Sequence, residues 1–374
     1  NRPTTRSMVT NVCYFVGTHG DWGGASRILF NLVRRIDRSE FHPIVLLSRP
    51  GPIGGEMTQL GVEHHVWPRH DFGNPLTFAR DVVRCAGFLR RHRVDLVHLN
   101  HGCIGWRPAE LTAARWLGIP VVQHSQQPVD KPSPDLLAAR VVLTCSDYLQ
   151  TVCDTGGVPM RTVYDLVDLE RFASGRPLRE ELGLEPGATV FSFIGRTRRR
   201  KGLQMFVDMA TRLGSPSARF LITGQRVGVK TDDSYSEAEV REMIAGEPRI
   251  HYLGFREDIE NVYATSDVVV VPSQHPEPCP AVLIESAAAG KPVLATDSGS
   301  TTEFVRDGET GFVVARHDID ALVDRATRLL DDVALRARLG HAARSDARTR
   351  FFTEPLAQVE ALYRELRSPR TPAA

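Results

Sequence analysis

The sequence predicts an α/β protein made of two doubly wound domains, each with a parallel sheet. Three observations carry this expectation. Strand-length apolar runs alternate with helix-period segments along nearly the whole chain, as parallel strands with right-handed crossovers require. The alternation falls into two sets separated by loop-rich sequence. The 374 residues suffice for two domains that each bury a core.

In chain order, residues 9–16, 43–47, 64–67, 95–99, 120–123 and 141–145 read as the first set of strands. Residues 25–36, 76–91 and 106–117 read as the helices between them. The second set has strands at 189–194, 219–223, 250–253, 268–271, 292–296 and 311–314, and helices at 203–213, 236–244, 258–264, 281–289 and 319–330. The clearest strand is the β-branched run Val268–Val271. In residues 76–91, Phe78, Val82, Val83, Ala86 and Leu89 make an apolar stripe at helical spacing, while Arg80, Arg84, Arg90 and Arg91 stay outside it. Loop signals at 173–177 and 185–187 place the join after residue 168. The expected division is 1–170, 171–350, and a C-terminal helix and tail at 351–374 that packs partly on the first domain. Ligands of open α/β sheets bind at the carboxyl ends of strands, so an interdomain cleft is the expected site.

Composition excludes several classes. With 42% hydrophobic residues, 24% charged residues and a formal net charge of +1, no charge block calls for a nucleic-acid partner. No apolar run is long enough to span a bilayer, and the start has no signal-like apolar region. A cytoplasmic location is expected, with the inner membrane face as its alternative. The six cysteines lack Cys-x-x-Cys spacing, which argues for free thiols and against a cysteine zinc site or a disulfide framework. The amphipathic 76–91 segment reads as a packed helix with a solvated basic face in preference to a peripheral membrane contact.

The most informative stretch is Glu277-Pro-Cys-Pro-Ala-Val-Leu-Ile-Glu285, directly after the strand at 268–271. Pro278 and Pro280 keep its first part out of a helix, and Pro280 suits a first helical position. Glu277 then lies in the loop and Glu285 inside the helix, about 7–8 Å further along the axis. The amides of Ala281 and Val282 lie between them. Carboxylates accept hydrogen bonds from hydroxyls and a helix N-terminus attracts phosphate, so the stretch suits a sugar, a diphosphate and a ribose. Spacing alone favours the plainer reading, a surface Glu followed by a helix-face Glu, and the rest of the chain shifts that balance.

A basic loop, Gly195-Arg196-Thr-Arg-Arg-Arg-Lys201-Gly202, joins a strand to a helix. Cations at a helix start oppose the macrodipole unless an anion is near, and a diphosphate is such an anion. A solvated basic loop and a nucleic-acid contact are the alternatives. The first loop, with Gly17, Gly20, Gly23 and Gly24, is rich in small residues but matches neither the dinucleotide fingerprint nor a P-loop. Nine of the thirteen histidines precede position 125; His98, His101 and His124 lie at strand carboxyl ends.

Together these stretches resemble the retaining glycosyltransferases of family 4, the group 1 glycosyl transferases, which have the GT-B fold. The resemblance spans nearly the whole chain and is densest in residues 264–311, including the Glu-x7-Glu element, Ala289-Gly-Lys-Pro-Val-Leu-Ala295 and Thr302-Glu-Phe-Val-Arg-Asp-Gly-Glu-Thr-Gly311. It implies two facing Rossmann-like domains. It implies that Arg196 and Lys201 hold the donor diphosphate, Glu277 the sugar hydroxyls, the amides of Ala281 and Val282 the sugar and phosphate, and Glu285 the ribose. Gly254 and Phe255 would lie against the base, Gly23 and Gly24 would approach the diphosphate, and His124 would contact the donor sugar. His124, Arg196, Lys201 and Glu277 are the implied catalytic set. Departures from the family pattern are Cys279-Pro280 after the first Glu, Asp165-Leu-Val-Asp168 in place of Asn-Gly-Val-Asp, and a missing second glycine in 299–303.

The implied reaction moves a hexose-type sugar from a nucleoside diphosphate, UDP favoured over GDP, to a glycan, lipid-linked or small natural-product acceptor. Retention would follow from front-side attack. No cofactor and no metal are expected, and Asp318-Ile-Asp320 reads as a helix cap. A GT-B epimerase and a non-catalytic nucleotide-sugar-binding subunit are the rival readings; a PLP-dependent phosphorylase lacks a lysine placed by motif.

Overall fold

The computed structural model describes residues 9–16, 24–47, 50–67, 74–101, 109–132, 136–224 and 233–367. These form two compact units, Asn1–Leu166 with Glu354–Ala374, and Val167–Thr353.

The first unit contains β1 (Thr10–Val16), α1 (Gly24–Arg35), β2 (Phe41–Leu47), α2 (Pro52–Gln59), β3 (Glu63–Val66), α3 (Pro75–Arg91), β4 (Leu96–His101), α4 (Ala109–Trp116), β5 (Val121–Ser125), β6 (Val141–Thr144), α5 (Asp147–Val152) and β7 (Met160–Thr162). Its strands form one parallel sheet in the order β3-β2-β1-β4-β5-β6-β7. Side chains alternate across it. Val12 and Tyr14 join the core on one face with Leu29 and Val33 of α1, while Cys13 and Phe15 join the other with Cys85 and Leu89 of α3. Both faces are covered, so β1 and β2 are mainly apolar, while β4 and β5 carry buried polar residues, His98, Asn100, Gln123 and His124, toward their carboxyl ends. Asn74 caps α3 by accepting from the Leu76 N–H at 2.9 Å, with Pro75 at the first helical position.

The second unit contains α6 (Leu169–Ala173), β8 (Thr189–Ile194), α7 (Leu203–Leu213), β9 (Ala218–Thr223), α8 (Glu237–Ile244), β10 (Ile250–Gly254), α9 (Ile259–Thr265), β11 (Val268–Val271), α10 (Ala281–Ala288), β12 (Val293–Thr296), α11 (Thr301–Phe304), β13 (Gly311–Val314), α12 (Ile319–Asp331) and α13 (Val333–Arg348). Its parallel sheet has the order β10-β9-β8-β11-β12-β13. Ser236 and Glu239 form a reciprocal capping box at α8. Asp318 caps α12 by accepting from the Ala321 N–H at 2.9 Å, and Asp320 pairs with Arg212.

The chain then returns to the first unit through α14 (Glu354–Leu366). Val359, Leu362 and Tyr363, spaced along one helix face, enter the core beside β1. Arg161 holds Glu365 through two bonds of 2.7 and 2.9 Å. The expected final helix from 351 starts later, because residues Thr349–Thr353 form a π turn that belongs to the second unit. The first boundary lies at Leu166 and not at 170. Residues from Leu169 onward form α6, whose Phe172 packs edge-on against Tyr263 and whose Arg171 pairs with Glu260 at 2.7 Å. The expected strand and helix positions otherwise agree to within a few residues. Sequence periodicity missed α13, whose buried stripe of Leu335, Leu339, Gly340, Ala343 and Ala347 is largely of small residues. At Gly340 a Cβ would lie 2.2 Å from the Gly290 carbonyl oxygen, so only glycine admits that approach.

Candidate active site

Three segments at the carboxyl ends of β8, β10 and β11 hold most of the anticipated residues, all within the second unit. After β8 the chain leaves Gly195 and turns through a short 3-10 segment, Arg199–Lys201, into α7. Gly202 joins these two helices in a left-handed conformation, φ +78. A Cβ there would sit 1.8 Å from the Pro272 carbonyl oxygen. The glycine therefore lets the Lys201 turn lie against the strand end of β11. A backbone bond from Gln274 N–H to the Arg200 carbonyl, 2.8 Å, fastens the two loops together.

This contact sets Lys201 beside Glu277. The ammonium nitrogen is 2.7 Å from each carboxylate oxygen. Glu277 is only 6% exposed, an unusual place for a carboxylate unless it is paired. The Ser273 hydroxyl donates to Oε1 at 3.0 Å, and His275 Nε2 lies 3.7 Å from the same atom. Its backbone is held as well: Ser300 donates to the Glu277 carbonyl from both its N–H and its hydroxyl, each at 3.0 Å. Glu277 is thus fixed in place, charge-paired and ready to accept hydrogen bonds.

Four residues further on, α10 begins. Pro280 is its N-cap and not its first helical residue, and no side chain caps the end. Ala281 is exposed and Val282 half-buried, so the first turn presents backbone N–H groups and the positive end of the helix dipole. Glu285, the fifth residue of α10, accepts a 2.6 Å hydrogen bond from the buried hydroxyl of Tyr263.

The basic loop sorts into two groups. Arg200 pairs with Asp233 at 3.0 Å, and Arg199 with Glu239 at 3.5 Å while it covers the Tyr235 ring. Arg196 is exposed. Arg198 is half-buried, and its pKa is lowered first by burial and then by the guanidinium groups of Arg196 and Arg200. Like charges crowded near a helix start mark a place where an anion is favoured. Gly254 ends β10 at φ +64, and the following Phe255 side chain is 44% exposed. Arg256 is engaged by Asp258 and Glu181, both at 2.8 Å.

In the first unit, Gly24 opens α1, and Gly23 lies outside the described residues. His124 sits in β5, buried, with its ring 5.5 Å from that of His98. His98 shares a 2.6 Å hydrogen bond with the Tyr363 hydroxyl of α14, which in turn donates to Tyr14 at 3.2 Å. Burial pushes the His124 pKa down to about 4, so the ring is neutral near pH 7.

The second unit therefore gathers Lys201, Glu277 and the start of α10 into one constellation, with Glu285 on the same helix. Sequence reasoning missed Ser273, Ser300 and Tyr263. Ser273 and Ser300 lie in stretches that the family resemblance covers, but nothing local shows that they hold Glu277, and Tyr263 meets Glu285 from 22 positions away.

Comparison with known proteins supplies the family. Residues 176–346 match the model described as "Glycosyl transferases group 1", and residues 23–167 match a "Glycosyl transferase 4-like domain". The chain belongs to the group 1 glycosyl transferases.

A D-inositol 3-phosphate glycosyltransferase of Nocardiopsis dassonvillei is 27% identical to this glycosyltransferase over 99% of the present chain and 96% of its own. A protein of the same name from Mycobacterium sp. strain KMS is 30% identical over 71% of this chain and 66% of its own. Among solved structures, a glycosyltransferase from Rickettsia africae superposes with a TM-score of 0.83 at 20% identity, covering 96% and 98% of the two chains. Anabaena HepE in complex with UDP and glucose gives 0.75 at 22% identity, covering 95% and 99%. These neighbours have the GT-B fold, in agreement with two parallel-sheet Rossmann-like units.

Proposed function

We propose that this enzyme transfers a hexose-type sugar, with retention, from a nucleoside diphosphate to an acceptor hydroxyl. The observation that carries the reading is Lys201 held 2.7 Å from a buried Glu277 at the mouth of an uncapped helix. An ammonium has three N–H groups, and two of them reach Glu277. The third serves a phosphate oxygen, while Glu277 accepts from sugar hydroxyls. The amides of Ala281 and Val282 approach the diphosphate, Arg196 adds a second positive charge, and Glu285 takes the ribose hydroxyls. Gly254 and Phe255 border the base. The roles of Gly23, Gly24 and His124 at the diphosphate and sugar rest on motif resemblance.

In the front-side reaction the acceptor oxygen bonds to the anomeric carbon as the bond from that carbon to the phosphate oxygen breaks. The departing phosphate oxygen takes the acceptor's proton, and the nucleoside diphosphate leaves. Negative charge grows on that oxygen, so Lys201, Arg196 and the α10 amides stabilise the transition state more than the ground state. The positive groups already present make a divalent metal unnecessary for this step.

UDP is the favoured carrier, and the HepE complex with UDP and glucose makes UDP-glucose the first donor to try. The names of the curated relatives put D-inositol 3-phosphate first among acceptors, followed by glycans, lipid-linked acceptors and small natural products. A cytoplasmic setting suits such donors. The test is product formation from a panel of nucleotide sugars without added Mg²⁺ or Mn²⁺, with the anomeric configuration read by NMR. Lys201→Ala and Glu277→Ala each lower turnover about 100-fold or more. Inverted product, or near-wild-type turnover in both variants at saturating donor, refutes the proposal.

A further inference from the structure

Histidines crowd the first unit, and the donor site accounts for few of them. Four side chains from three elements meet at the edge of its sheet. Glu63 and His65, two residues apart on β3, project to the same face. His42 lies on β2, whose Ile44 pairs with Glu63, and so reaches that face too. His92 is the C-cap of α3, which covers it.

Glu63 is the centre of the group. His65 Nε2 is 2.9 Å and His92 Nδ1 2.8 Å from its Oε1, and His42 Nε2 is 3.3 Å from its Oε2. One ligand atom each from Glu63, His65 and His92 lies within 4.8 Å of the others. The surroundings hold the rings in place. His92 stacks on Phe88 at 4.1 Å, and His65 meets Phe88 edge-on at 5.1 Å. The Asn11 side chain donates to the carbonyls of both His92 and Arg93, at 3.1 and 3.0 Å, clamping the turn that carries His92.

We propose that Glu63, His65 and His92, with His42 as fourth ligand, form a binding site for a borderline-soft divalent cation, zinc foremost. Two or three imidazoles and one carboxylate are a ligand set suited to zinc, which takes four ligands in tetrahedral array at about 2.0–2.2 Å. Ligand atoms in such an array stand farther apart than the present hydrogen bonds, so the rings and the carboxylate open slightly around the ion. Each ligating nitrogen offers its lone pair: His65 binds through Nε2 and His92 through Nδ1, and the ring proton resides on the other nitrogen.

The placement argues for a staple and not a reaction centre. Glu63 begins β3, His42 lies near the start of β2, and His92 precedes β4. The cluster is therefore near the amino ends of the strands, whereas ligands of such sheets bind at the carboxyl ends. A bound ion would tie the edge strand β3 to β2 and to the end of α3, an edge otherwise held by one neighbouring strand.

The test uses the full chain without a polyhistidine extension, stripped of metal and then dialysed against micromolar ZnCl2. Elemental analysis is expected to find about one zinc per chain. With zinc at about 100 times its Kd, the melting midpoint of the wild type rises by roughly 5–10 °C. His65→Asn/His92→Asn and Glu63→Gln lose both the zinc and the rise. His64→Asn keeps both, because His64 points to the other face and donates from Nδ1 to the Val62 carbonyl. Melting without zinc shows whether the variants fold, and the wild-type stoichiometry and the His64 control hold even if the double variant does not. Absence of zinc uptake by the wild type, or undiminished uptake by a folded His65→Asn/His92→Asn protein, overturns the proposal.

Discussion

Lys201→Ala tests the site's construction independently of its chemistry. The substitution strips Glu277 of the cation 2.7 Å away, leaving Ser273 as its close side-chain donor. Removing one partner of a fully buried ion pair costs about 3–5 kcal/mol. Lys201 is 27% exposed and Glu277 8% exposed by side chain, so water partly replaces the ammonium. The expected loss is therefore about 2–3 kcal/mol, at or just below the bottom of that range. For a unit of this size each kcal/mol moves the midpoint by about 2–4 °C, giving a fall of roughly 4–12 °C. Glu277→Ala costs less through charge, because the longer lysine side chain can turn to solvent. The double variant should then recover at least about 1 kcal/mol relative to the sum of the singles. Urea unfolding of the wild type, both singles and the double closes the cycle. Additivity within about 0.5 kcal/mol would refute the claim that the pair is coupled in the free enzyme.

Other expectations follow from single contacts. Gly202→Ala places a Cβ 1.8 Å from the Pro272 carbonyl oxygen in a left-handed residue, and should lower stability by about 2–4 kcal/mol in chemical denaturation while slowing turnover through a displaced Lys201. Tyr363→Phe removes the hydroxyl that bonds buried His98, at a cost of about 1–2 kcal/mol by the same assay. Glu285→Ala should raise the donor KM about tenfold and change kcat less, measured by initial rates, if the carboxylate binds the ribose. For pH, burial depresses His124 to about 4 and His98 well below its usual value, so the unfolded chain binds protons that the folded one refuses. This stability is complete above about pH 6.5, the unfolded value, and falls as pH drops toward the folded value near 4. Each histidine contributes a slope of up to about 1.4 kcal/mol per pH unit within that window, and His124→Asn should remove one such contribution in urea titrations at pH 5 and 7.

Much of the molecule is legible in its sequence. Val268–Val271, Leu203–Leu213 and Gly311–Val314 have the bounds their apolar patterns suggest, because period and burial coincide there. Elements whose packing depends on smallness were invisible: α13 buries alanines and a glycine, which carry no strong hydrophobic period. Pro280 proved to be a cap because Ala281 is the first residue with helical backbone.

Local order along the chain was enough to specify two parallel-sheet units, the Gly195–Gly202 loop and the Glu277–Glu285 element, since each depends on neighbouring residues and on backbone chemistry. Long-range closure settled everything else. Lys201 meets Glu277 across 76 positions, Tyr263 meets Glu285 across 22, and His65 and His92 converge on Glu63 from separate elements. Such meetings are decided by which loop a glycine allows to approach a strand end and by which face of a strand a helix covers, and neither quantity is written in any local window of sequence.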